Sequence, residues 1–271
     1  MTTASRNVKR TRPKQADQSG RLRKASAADP RSADEQDDRR ERILRAAIAE
    51  FSQHGLAGAR TEAIAVGAGV NKALLYYYFH GKIDLYAAAL EASAAQMLGS
   101  AMRALDHEGS AGERLLRTAL NHFDRIASRH EYGRLMNQEM ARLRESGEEA
   151  GPAPLENIFS LLLHKMRRVL AEGMRTEELI HTDWMQVIYA VLGSNVFYFM
   201  SAPMMRRVAD FDPLNRRGIL RRRKAAILLL GASLFTDRQR GEQLARQVLS
   251  DTPSPALDRT WEPHPSGVPS R

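Results

Sequence analysis

The sequence predicts an all-α fold, and three observations predict it. Alanine, leucine, arginine and glutamate dominate a composition that is 43% apolar but only 6% aromatic, the mix of good helix formers. Apolar residues recur at three- and four-residue spacing, and no run alternates as a half-buried strand would. Glycine and proline sit between the periodic stretches as punctuation, at Gly109, Gly147, Gly151-Pro152, Gly173 and Pro213. The 271 residues suffice for one large or two small domains with a sizeable core.

The first periodic stretch runs from about Asp37 to His54, with Ile43, Ala47 and Phe51 four apart, Leu44 and Ile48 beside them, and Gly55 as the stop. Two short segments follow, Thr61 to Gly67 and Asn71 to Phe79. A long helix is expected from Lys82 to about Leu105, then others over 111–129, 131–145, 153–172, 182–201 and 213–236.

The ends read differently. Up to Lys24 the chain holds eight Lys/Arg against one acid, Asp17, with no apolar periodicity. Such a segment buries too little to offset its ordering entropy, so residues 1–38 are expected to be a disordered basic extension. The Pro- and Ser-rich stretch 251–271 reads as a second tail.

Charge narrows the function classes. The formal net charge is +9 and the isoelectric point about 10.1, which favours polyanionic partners. The chain has no cysteine, which excludes disulfides, thiolate chemistry and cysteine-ligated zinc and fits a reducing cytoplasm. From Trp184 to Met205 no charge appears, and that length could span a bilayer. Gln186, Ser194, Asn195, Ser201 and Pro203 interrupt it, so a helix buried on all sides is the preferred reading.

The spacing from Thr61 onward carries the strongest functional signal. With Thr61 as position one, Ile64 and Ala65 fall at four and five, Gly69 and Val70 at nine and ten, Leu75 at fifteen and Tyr78 at eighteen. Two helices crossing at close range need a small residue at Ala65 and a left-handed turn at Gly69. Asn71 is a good N-cap for the second helix. On that helix Leu75 and Phe79 share the inner face. Lys72, Ala73, Tyr76 and Tyr77 point away, with Leu74 near the boundary. Lysine can donate to guanine O6 and N7, Ala73 and Leu74 can meet a thymine methyl, and tyrosine hydroxyls can bond phosphates. Lys82, starting the next helix, and Thr61, read as capping the earlier one, are placed to meet phosphates. The candidate DNA-binding set is therefore Thr61, Asn71, Lys72, Ala73, Leu74, Tyr76, Tyr77 and Lys82.

Residues 41–86 resemble the DNA-binding domain of TetR-type transcriptional regulators. The matching pieces are the Ile-Leu-x-Ala-Ala first helix, Phe51, Gly55, Thr61, Ile64-Ala65, Ala68-Gly69-Val70, Leu75-Tyr76, Tyr78-Phe79, Lys82 and Leu85. Asn71 stands where serine is more usual, Ala73-Leu74 replace the common Gly-Thr, and Ile83 replaces a frequent acid. Lys72, Ala73 and Leu74 are positions where members of the family differ, so the resemblance does not specify the bases read.

The resemblance implies an all-α homodimer. A three-helix helix-turn-helix domain, 39–86, would bind a palindromic site in double-stranded DNA. A helical ligand-binding and dimerisation domain, 87–250, would follow. Residues 182–201 and 221–235 would pair with their copies in a four-helix bundle, with Gly231 and small residues allowing close approach. The implied function is a repressor released by a small-molecule effector, with no cofactor, no metal and no catalysis. The long helix from Lys82 would transmit the change. His122, Phe123, Met140, Phe159, Trp184, Tyr189 and Asn195 mix bulk with polarity as an effector pocket would. An ordinary core has the same mix. Two rival readings remain: a DNA-binding protein without a ligand, and a helical enzyme carrying this domain. Paired catalytic groups are absent from the sequence pattern. Glu178-x-x-His181 has the spacing of half a di-iron site, but a helix-end cap is the preferred reading. The basic extension either solvates the N-terminus or lies along flanking phosphates.

Overall fold

The computed structural model describes residues 1, 30–146, 153–209 and 211–257. Among them the chain is all-α. The helices are α1 (Pro30–Gly58), α2 (Thr61–Ala68), α3 (Lys72–Tyr78), α4 (Lys82–Leu105), α5 (Ala111–Ser128), α6 (His130–Ser146) and α7 (Ala153–Arg175). Then follow α8 (Trp184–Ile188), a π-helical turn (Tyr189–Gly193), α9 (Ser194–Val208), α10 (Arg216–Leu234) and α11 (Arg238–Asp251). A single β-bridge, Leu179 to Phe235, ties the loop after α7 to the end of α10.

Two compact units divide the chain, Met1–Asp37 and Asp38–Arg271. Helix α1 starts at Pro30, earlier than the expected Asp37. Proline suits a first helical turn because its missing N–H has no partner there anyway. The expectation of disorder through residue 38 is thereby corrected for its last part. Residues 2–29, which hold the basic run, lie outside the described residues, as do 258–271.

The N-terminal helices pack on one apolar cluster. Ile43, Ala47 and Phe51 of α1, Ile64 of α2, Leu75 of α3 and Leu85, Ala89 and Leu90 of α4 are all buried. Burying each large side chain contributes about 1.5–3 kcal/mol. Gly55 interrupts α1 with φ 66°, a backbone a side chain rarely tolerates. Gly69, at φ 65° and ψ 36°, closes α2. The same cluster takes in Tyr132 and Leu135 of α6 and Leu155 of α7. The expected boundary at residue 86 therefore crosses a continuous core.

The C-terminal helices enclose a second cluster, built on Leu115, Leu116 and Leu120 of α5, Met166 and Leu170 of α7 and Ile227 of α10. Glu178 caps α5. It accepts from Gly112 N at 3.0 Å and from Ser110 Oγ, which gives Glu178-x-x-His181 its structural role.

Three expectations change here. Helix α11 was not among the expected helices. Its buried groups are Gly241, Ala245 and Val248, and Leu244 and Leu249 pack beside them, a short stripe set among Arg238, Arg240, Glu242 and Arg246. Asp237 starts it, accepting from Gln239 N and Arg240 N. Secondly, Gly231 does not wait for a dimer mate, since a Cβ there would lie 2.5 Å from Gly241 O. The close approach joins α10 to α11 within one chain. Thirdly, the segment after residue 250 is held for some distance: Arg223 donates to Thr252 O at 3.0 Å and Pro253 O at 3.3 Å, and Leu257 packs beside Phe199 and Ile219.

Candidate functional site

Helix α3 is a short rod anchored from behind. Asn71 caps it, Oδ1 accepting from Leu74 N at 2.7 Å. Leu75 is 0% and Phe79 5% exposed. Lys72, Ala73, Tyr76 and Tyr77 are exposed and Leu74 is half-buried. Tyr77 is 73% exposed, so the cluster does not need its ring. Tyr78 turns back to the cluster and stacks edge-on with Tyr77 at 5.4 Å.

Three neighbours shape the outer face. Glu62 of α2 pairs with Lys72, and this hydrogen bond lowers the Glu62 pKa and raises that of Lys72. The Lys72 ammonium also lies 5.8 Å from the centre of the Tyr76 ring. Lys82 Nζ donates to Ala57 O at 3.0 Å. That fastens the start of α4 to the end of α1. Thr61 departs from its expected role. Arg60, not Thr61, is the N-cap of α2 and makes no side-chain cap. Thr61 is 7% exposed, and its hydroxyl lies 3.3 Å from Tyr76 OH, so it positions that ring. Glu62 was missed because an acid beside a recognition helix looks like ordinary helix surface.

Behind this head lies a cavity of about 610 Å³. His122, Met140 and Phe159 of the candidate pocket set line it, with Phe199, Arg134 and Arg206 among the others. The remaining pocket candidates sit elsewhere. Phe123 is 1% exposed and packs on Phe199 at 5.2 Å. Asn195 stands behind the lining, donating from Nδ2 to Ala119 O at 3.2 Å and lying 3.3 Å from His122 Nδ1. Trp184 is outside, under the Arg167 guanidinium at 5.5 Å. Tyr189 is 66% exposed. Large residues on an apolar helix look alike in sequence whether they line a void, fill a core or face out. Arg134 and Asn137 of α6 were missed because both sit on the exposed side of that helix and read as solvated surface.

Helix α6 touches both places. Its Arg134, Asn137 and Met140 line the cavity. Its Gln138 donates to Ser52 O of α1 at 3.1 Å. Next to it, Glu139 is 0% exposed and accepts from Tyr86 OH of α4 at 3.0 Å and from Arg142 at 2.6 and 2.8 Å. Burial and the neighbouring Glu139 carboxylate both raise the Tyr86 pKa.

Comparison with known proteins bears on the head directly. Residues 43–89 match the family model described as bacterial regulatory proteins, tetR family. Over these residues the chain is similar to the N-terminal domain of that family. Over 50 residues it is 52% identical to the HTH-type transcriptional repressor SCO4008 of Streptomyces coelicolor, a match covering 18% of this chain and 26% of that one. Over 59 residues it is 41% identical to the HTH-type transcriptional repressor NicS of Pseudomonas putida, covering 22% and 28%. The chain thus matches about a quarter of the length of these curated relatives. Solved structures extend the likeness at the level of fold. A gamma-butyrolactone receptor (ArpA-like protein) aligns over 80% of this chain and 100% of its own, with 22% identity and TM-score 0.57. The transcriptional regulator FadR from Bacillus subtilis, in complex with stearoyl-CoA, aligns over 70% and 96%, with 18% identity and TM-score 0.55. Beyond the matched N-terminal segment, the likeness to these solved structures is one of fold alone.

Proposed function

We propose that the chain is a cytoplasmic, homodimeric transcriptional repressor, not an enzyme, that binds a palindromic DNA site and is released by a small-molecule effector. The observation that carries this reading is the outward face of α3. Lys72, Tyr76 and Tyr77 stand free of the core, while Leu75 and Phe79 fix the rod that presents them. A rod of this kind fits a major groove, and two of them in a symmetric dimer read two half-sites. Thr61, Asn71, Ala73, Leu74 and Lys82 complete the docking face, Thr61 by orienting Tyr76 and Asn71 by capping the helix.

The dimer follows from an uncovered apolar stripe. Tyr189, Phe197, Met200, Met204 and Val208 recur at four- and three-residue steps after the first gap and are each more than half exposed. Only 33% of the most apolar window in Trp184–Val208 is buried, so the helix is not covered on all sides within one chain. Its mean hydropathy of 1.3 would also suit a bilayer. However, its other face is committed to the fold through Val191, Asn195, Phe199 and Ala202. A second copy covers the stripe without dismantling that packing. Exposed Leu229 on α10, at 66%, adds to the same surface across the groove it shares with Ala190 and Ser194.

An effector acts only through its difference in affinity for two conformations. The shared helix α6 supplies the link, because a ligand that shifts Arg134 or Met140 moves Gln138 and Glu139 against α1 and α4. The long α4 assigned this role from sequence contributes through Met97 in the cavity wall.

Two experiments bear on this reading. The Phe197→Glu/Met204→Glu variant should sediment as a monomer and lose affinity for a palindromic site by more than about tenfold, since the second half-site no longer contributes. A dimer of unchanged DNA affinity would refute the stripe as the interface. Glu62→Gln frees Lys72 and removes a negative charge from the docking face. DNA affinity measured by fluorescence anisotropy should rise, and the salt dependence should steepen by about one phosphate contact.

A further inference from the structure

The cavity has two chambers. An inner extension of about 60 Å³ shares Met97, His122, Met136, Phe159 and Leu192 with the main space. Beyond these five the extension continues between apolar side chains such as Leu98, Ala101, Leu162 and Met166. Of the five shared residues, His122 alone has a polar side chain. Among the described residues no acid lines either chamber, while Arg134 and Arg206 border the outer one and Arg125 the inner, with Asn137 in the outer lining and Ser100, Thr118 and Asn121 in the inner.

The protonation of His122 follows from its neighbours. Asn195 Nδ2 donates to Ala119 O at 3.2 Å; with the amide reversed, two carbonyl oxygens would face each other. The same nitrogen lies 3.3 Å from His122 Nδ1, so Nδ1 accepts and the ring proton sits on Nε2. Burial pushes the His122 pKa down to about 4, which keeps the ring neutral near pH 7. Nε2–H has no protein partner among the described residues. It is not a sealed buried donor either, so it opens on the space the ring lines.

We propose that the effector is an apolar molecule bearing a carbonyl-type oxygen, which accepts from His122 Nε2–H between the chambers, with a short unbranched alkyl arm in the inner one. This rests on the effector reading given above and specifies its chemistry. A ketone or ester carbonyl and a carboxylate supply the same acceptor. An amine does not, because its ammonium cannot accept from Nε2–H and would sit beside Arg125 and Arg134. The narrow extension admits a few methylenes and no ring.

Three eight-carbon probes test this on the intact protein by calorimetry: 2-octanone, octanoate and octylammonium. At least one oxygen-bearing probe should bind ten times more tightly than octylammonium, and the better of the two tells whether the oxygen is neutral or charged. The His122→Phe variant, which keeps the bulk, should weaken that probe by about threefold to tenfold, the worth of one neutral hydrogen bond, and leave octylammonium unchanged. Ala101→Leu fills the arm. It should abolish the gain in affinity from 2-pentanone to 2-octanone, roughly three- to fourfold per buried methylene in the native chain. Octylammonium binding as tightly as the oxygen-bearing probes, an unaltered ratio in His122→Phe, or no binding of any probe at millimolar concentration would overturn the assignment. DNA affinity is followed in the same samples. A probe that binds as expected yet leaves DNA affinity unchanged would uphold the pocket chemistry and refute the effector reading.

Discussion

Replacing Lys72 and Tyr77 together by alanine is expected to lower affinity for a specific duplex by roughly a hundredfold, each lost contact costing about 1–3 kcal/mol. The melting temperature should hardly move. Both side chains stand outside the cluster, and alanine suits a helix. That pairing of a large binding loss with intact stability separates a docking face from a structural one. Lys72→Ala also strands Glu62, which faces DNA without its partner and adds repulsion. Tyr77→Ala alone should therefore cost less than Lys72→Ala. A double variant that binds like the native chain would place the docking face elsewhere.

The second large effect is on stability. Arg223 is 5% exposed and binds Asp124 with two bonds of 2.8 and 3.0 Å. Burial raises the Asp124 pKa, and the guanidinium opposes that rise without cancelling it. Arg223→Met leaves the carboxylate buried and unpaired and releases the carbonyls of Thr252 and Pro253. The expected cost is about 3–5 kcal/mol by denaturant unfolding, the usual penalty for removing one partner of a buried pair. Arg223→Met/Asp124→Leu should recover most of it, because no uncompensated charge remains. If the single variant loses under about 1 kcal/mol, the pair is not what joins α5, α10 and the segment after α11.

How legible each part was depended on how local its physics is. The helix-turn-helix could be read almost residue by residue. Gly69 and Asn71 act within a few positions of themselves, and Leu75 and Phe79 declare their face by spacing alone. Thr61 was misread because a threonine before a helix usually caps it; only the fold brings Tyr76 to its hydroxyl. The cavity was legible in part. His122, Met140 and Phe159 line it, yet Trp184 and Tyr189 carry the same bulk on the same kind of helix, and Trp184 packs on the second cluster while Tyr189 faces outward. Whether a side chain lines a void is decided by helices remote in sequence. Glu139 and Gln138 were invisible for the same reason. On the page they are polar residues of a charged helix, and their partners, Tyr86 and Ser52, lie far along the chain. Gly231 was recognised as a close-approach residue but given the wrong neighbour, because its partner Gly241 lies on α11, a helix that was not anticipated.

The central claim is that two copies of α3 read symmetric half-sites in DNA. Selection of bound sequences from random duplexes by the full-length protein tests it most directly. The account predicts enrichment of an inverted repeat whose half-sites lie about one helical turn, 10–10.5 base pairs, or a multiple apart, with the enrichment lost in the Lys72→Ala/Tyr77→Ala variant. Recovery of unenriched sequence, or of a motif that the variant selects equally well, would contradict it.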